Sequence, residues 1–68
     1  MNSKPTIGTV VKIVMSGNRY NAFDSAANKL TSHIRTGTRK SAYNAGMALE
    51  CREGKGGRIY WWKVPMEQ

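Results

Sequence analysis

Residues 50–64, ECREGKGGRIYWWKV, hold four cations (Arg52, Lys55, Arg58 and Lys63), three glycines and an unbroken aromatic run, Tyr60, Trp61 and Trp62. Lysine and arginine pair with phosphates, glycines let a backbone come close to them, and aromatic rings either fill a core or stack on bases. A second group lies upstream: Arg35, Thr36, Thr38, Arg39, Lys40 and Asn44. An arginine can hold a guanine edge with two hydrogen bonds, an asparagine can do the same to adenine, and a threonine hydroxyl suits a phosphate oxygen. Together these nine residues, Arg35, Thr36, Thr38, Arg39, Lys40, Asn44, Arg52, Lys55 and Arg58, are the candidate nucleic-acid contacts. The plainer alternative is that the upstream group is the solvated face of a surface helix.

Catalysis has little to draw on. The four acids, Asp24, Glu50, Glu53 and Glu67, are too few and too readily structural to nominate a general acid and base, and no enzyme is expected. One cysteine and one histidine cannot build a structural zinc site, and Cys51, with no histidine beside it, reads as a small core residue. His33 reads as a turn residue or a phosphate contact. EGKGG lacks the Lys-Ser/Thr ending of a P-loop and does not lead from a strand into a helix, so no nucleotide cofactor is expected, nor any other.

The whole chain agrees with a polyanionic partner. Its 68 residues carry 11 Lys+Arg against 4 Asp+Glu, a formal charge of +7. The cations are uneven: between Arg35 and Lys63 there are seven, against two acids. Such a balance predicts attraction to nucleic acid and strong salt dependence. The length fits one domain close to the lower limit for a self-sufficient core, and pairing into a homodimer would enlarge that core, so both monomer and homodimer are open. The lone cysteine fits a reducing interior, no long apolar run suggests a membrane span, and MNSKPTIG lacks the layout of a secretory signal. A cytoplasmic protein is expected.

These residues need elements to position them. Residues 1–5 read as a disordered arm and 66–68 as a tail, with one domain over 6–65. Ile7, Val10, Val11 and Val14 have the spacing of a helical stripe with Gly17 as its stop, yet Ile7, Thr9, Val11, Ile13 and Met15 alternate as a strand would, and their β-branching suits one. Both readings stay open, with helix preferred. Asn21 as N-cap, Asp24 in the first turn and the spacing of Phe23, Ala26, Ala27 and Leu30 predict a helix over 22–30. TSHIRTGT reads as a turn anchored by Ile34. A third helix is expected from the capping Thr38 to Gly46, with Tyr43 and Ala42 inward and Arg39, Lys40 and Asn44 exposed.

From Met47 the period becomes two. Met47, Leu49 and Cys51 alternate with Ala48, Glu50 and Arg52, REGKGG reverses the chain, and RIYWWKV returns before Pro65, which predicts a β-hairpin. On the returning strand Trp61 and Trp62 must face opposite ways. Ile59 shares the face of Trp61, which favours Trp61 as the core ring, although Tyr60, Trp62 and Val64 make an equally apolar row.

In AFDSAANKL followed by TRKSAYNAGMALECREGKGGRIYWWKV, the chain resembles the small winged helix-turn-helix proteins of bacteriophages and prophages. The likeness covers about residues 7–64 and rests on a short helix, a Thr-Arg opening to the next, a glycine stop and a Gly-rich wing followed by aromatics. It implies an α+β fold of three short helices and a C-terminal hairpin wing. It also implies a transcriptional regulator that binds duplex DNA, with the third helix at the major groove and the hairpin along the backbone. Two other functions fit the same residues: an inhibitor or adaptor engaging an acidic host protein, and a binder of single-stranded nucleic acid or RNA through Tyr60 and Trp62.

Overall fold

The computed structural model describes residues 5–66, so most of the expected arm and tail lies outside the described residues. Strands β1 (Val10–Ser16) and β2 (Arg19–Phe23) form a hairpin, helix α1 (Thr36–Asn44) follows, and strands β3 (Met47–Glu53) and β4 (Ile59–Pro65) form a second hairpin. The four strands make one antiparallel sheet in the order β2-β1-β3-β4. The two hairpins therefore meet along their first strands, β1 and β3, and leave β2 and β4 as edges.

This architecture overturns the expected winged helix-turn-helix. The fold is α+β but mostly sheet, with one α-helix in place of three. The expected N-terminal helix is strand β1, because Val10, Val11, Ile13 and Val14 are β-branched and Gly17-Asn18 closes a two-residue turn. Gly17 sits at φ 61, the backbone that a hairpin turn with glycine at its first central position requires. The expected helix over 22–30 is also absent. Asn21 and Ala22 pair with Val14 and Ile13 in β2, and Asp24 begins a tight loop. Its carboxylate accepts the backbone N–H groups of Ala26 at 2.9 Å and Asn28 at 2.8 Å, offering the backbone a partner that competes with helix.

The last two expected elements are present with shifted bounds. α1 starts at Thr36, two residues before Thr38, and its N-cap position is Arg35, which makes no side-chain cap. Gly46, at φ 66, ends it as anticipated. The β3–β4 hairpin pairs Met47 with Pro65 through to Glu53 with Ile59, reversing through one turn of 3-10 helix at Lys55–Gly57.

The register sorts the side chains. Directly opposed residues share a face, so Ile13/Ala22, Val11/Leu49 and Cys51/Trp61 point to one side, and Lys12/Phe23, Val10/Glu50, Glu50/Trp62 and Arg52/Tyr60 to the other. The helix covers only the first side. Its Ala42, with Ile34 from the preceding turn, packs on Val11, Ile13, Ala22 and Leu49, with Tyr20, Leu30 and Trp61 at the margin. Fully burying a side chain such as Leu49 or Val11 contributes about 1.5–3 kcal/mol each, and a chain this short has few such residues.

Candidate nucleic-acid interface

The side of the sheet opposite the helix has no covering element among the described residues, and its most exposed rings come from β4. Strand alternation sends Tyr60 and Trp62 out on that side, where they remain 43% and 52% exposed, while Trp61 turns inward. Trp61 donates its indole N–H to the His33 carbonyl at 3.1 Å, which ties the turn before α1 to the edge strand. The neighbouring Lys63 donates to Ser41 Oγ at 2.9 Å and braces the same strand against the helix.

Both outward rings have neighbours from the hairpin. The Arg52 guanidinium lies 5.3 Å from the centre of the Trp62 ring, and Glu50 grips that guanidinium through one carboxylate oxygen, 2.9 Å from both Nε and a terminal nitrogen. A cation over an indole is attracted by the negative face of the π system. Because Glu50 stands opposite Trp62 in the register, and Arg52 opposite Tyr60, the four side chains form one patch. Tyr60 lies against Gly54, where any Cβ would overlap its ring, so the glycine is what lets the tyrosine settle on the hairpin.

The patch continues across the sheet. Val10, Lys12 and Phe23 with Asp24, Ala48, Glu50 and Val64 border a hollow of about 470 Å³ on the same face, so two carboxylates and one ammonium line it. Lys12 is exposed and stands opposite Phe23, so a cation and a ring recur on the β2 side as they do on the β4 side. Among the described residues the one ion pair is Arg52–Glu50, which leaves the positive charge of the chain largely uncompensated.

The nine residues nominated from sequence are divided by this fold. Arg52 is on the open face. Lys55 is at the tip of the β3–β4 turn. Arg35, Thr38 and Arg58 border a second groove beside β4, on the helix side. Lys40 and Asn44 lie exposed on the helix itself, away from the open face.

Two helix side chains depart from their expected sides: Tyr43, expected inward, is exposed, and Arg39, expected outward, is not. Its guanidinium is half-buried and donates to the carbonyls of Thr31 and Ile34, the latter at 2.7 Å, and to Thr36 Oγ1 at 2.9 Å, where it anchors the turn to the helix. Thr36 is thereby committed as an acceptor.

Sequence reasoning left Tyr60 and Trp62 outside its principal site, and Lys12 and Phe23 outside it altogether. The alternation in RIYWWKV, which favoured Trp61 as the core ring, had already set the first two on the outward row. Lys12 and Phe23 needed the N-terminal hairpin to be recognised first.

Cys51, fully buried on the helix side, has a thiol pushed up by desolvation and stays protonated at neutral pH, which leaves it a packing residue. Among the described residues no group of three potential metal ligands occurs, and no helix is long and apolar enough to cross a membrane. Compared with models of known families, with curated proteins and with solved structures, the chain matches none.

Proposed function

We propose that this protein binds single-stranded nucleic acid on the open face of its sheet. The observation that carries the reading is the pair of outward rings, Tyr60 and Trp62, exposed beside Arg52 on a chain of charge +7. Alternate positions on a strand set the rings roughly 6.6 Å apart along β4, and each offers a flat apolar surface on which an unpaired base can lie. Stacking of this kind is worth about 1–3 kcal/mol per base and tolerates any base, because every base has a π face. Among the described residues Lys12 is the unpaired cation nearest the rings on this face, Arg52 being held by Glu50, and the net charge of +7 supplies the wider attraction for the sugar-phosphate chain. A duplex hides its base faces, so it has little to offer these rings. The helix is the poorer reader, since Arg39, its one internal arginine, is engaged with carbonyls of its own chain.

Titration of intrinsic tryptophan fluorescence with a 12-nucleotide single strand, as DNA and as RNA, and with the corresponding duplex, at two salt concentrations, tests the reading. The single strand should bind more tightly than the duplex. Trp62→Ala should weaken single-strand binding by roughly 5- to 150-fold, the equivalent of losing one stacked base. A preference for duplex, or an unchanged affinity in Trp62→Ala, overturns it.

A further inference from the structure

The edge strand β4 has a groove on its other flank as well. It measures about 750 Å³, and its borders include His33 and Arg35 from the segment before α1, Thr38 from the first turn of the helix, Arg58 from the hairpin, and Tyr60 and Trp61 of β4. Arg35 and Arg58 are 23 positions apart in the chain and are brought to one groove by the bond from Trp61 to the His33 carbonyl, which holds the pre-helix turn against β4.

Among the described residues neither guanidinium has a hydrogen-bond or ion-pair partner, and no acidic side chain borders the groove. Glu53, opposite Ile59 at this end of the hairpin, has its carboxylate beside Gly57, a residue of the groove's border, and is outnumbered there by Arg35 and Arg58. Tyr60 belongs to both surfaces: it stands in the outward row with Trp62 and also borders the groove.

We propose that this groove is a phosphate site continuous with the aromatic face, in which Arg35 and Arg58 hold a phosphate of the same strand whose bases lie on Tyr60 and Trp62. The inference rests on the single-strand reading for its ligand. Its chemistry is independent of stacking: each guanidinium, without a partner among the described residues, can offer paired N–H donors to phosphate oxygens, the mode in which arginine binds phosphate most strongly. The phosphate belongs either to the interior of the strand or to its 5′ end. The strand would pass from the open face over Tyr60, around the β4 edge, and into the groove.

The double variant Arg35→Gln/Arg58→Gln, at two exposed positions, is compared with the wild type on 12-nucleotide single strands with and without a 5′ phosphate, across a salt series. The expected result is a fall in affinity of about tenfold or more at low salt and a log–log salt slope shallower by about 0.7, the signature of one phosphate no longer neutralised on a single strand. An interior phosphate makes the loss equal for both oligonucleotides; a terminal one confines it to the phosphorylated strand.

Unchanged affinity and slope in the double variant, with Trp62→Ala still impaired, overturns the groove and leaves the stacking reading standing. If the wild type binds no oligonucleotide, the stacking reading falls and the groove is decided alone by titrating tripolyphosphate into Trp62→Phe. Trp61 is then the sole tryptophan and borders the groove. Quenching that disappears on adding the two arginine substitutions supports the phosphate site, and absence of quenching overturns it.

Discussion

Trp61 and Trp62 are neighbours in sequence with opposite duties, and mutation should separate them. Trp61 packs at the margin of the core and holds the His33 carbonyl, so Trp61→Ala should destabilise the fold by about 3 kcal/mol, a large share of the stability of so small a domain. Trp62→Ala removes a ring that is half in solvent and should leave the urea midpoint nearly unchanged while weakening binding. Equal destabilisation by both would mean that the open face is covered in solution, as in a dimer. Arg39 and Lys40 should divide in the same way. Arg39→Ala strips a charged donor from two backbone carbonyls and should cost about 1.5–3 kcal/mol, whereas Lys40→Ala should stay within about 0.5 kcal/mol. Urea denaturation of the two single variants measures this, and equal midpoints would show that the Arg39 bonds contribute nothing net.

At the scale of elements, the β3–β4 hairpin is both scaffold and presenter. Its turn carries Gly56 and Gly57 at φ 76 and 78, a backbone that side chains resist, and Gly54 just before it gives Tyr60 a surface to rest on. Gly54→Ala should therefore displace the Tyr60 ring without breaking the pairing of β3 with β4. The expected outcome is a several-fold loss of single-strand affinity with the far-ultraviolet circular dichroism unchanged. Affinity equal to the wild type would show that the resting position of Tyr60 is irrelevant to binding. The helix has a different duty. It covers one side of β1, β2 and β3 through the small Ala42, and by occupying that side it determines which aromatic row of β4 is left outside.

For the molecule as a whole, a small core makes each buried group count, and Cys51 lets this be read through pH. Burial pushes its thiol up, so across the alkaline range the folded chain retains a proton that the unfolded chain releases. The unfolded state then binds fewer protons, and stability falls as pH rises. The contribution is intact below the ordinary thiol range and declines progressively above it. Urea midpoints of the wild type should drop more steeply between pH 8 and pH 10 than those of Cys51→Ala, in which that titration is absent. Parallel slopes would mean that the thiol ionises as freely in the folded chain as in the unfolded one.

The charge of +7, the uneven spread of its cations, the C-terminal hairpin with its glycine turn and the short helix ending at Gly46 were all legible in the amino-acid sequence. Each depends on local composition, on φ at a glycine or on a period of two, and these act within a few residues. The N-terminal half was not legible in the same way. Ile7, Val10, Val11 and Val14 satisfy a helical and an extended period at once, and what separates the two is pairing with β2 on one side and β3 on the other. The spacing of Phe23, Ala26, Ala27 and Leu30 imitated a helix, but Phe23 ends an edge strand and the Asp24 carboxylate engages the backbone that follows. Tertiary structure alone decided that Arg39 belongs to the scaffold, and that Arg35 and Arg58 share a groove. It also left Tyr60 and Trp62 outside, because one nine-residue helix can cover only one side of a four-stranded sheet.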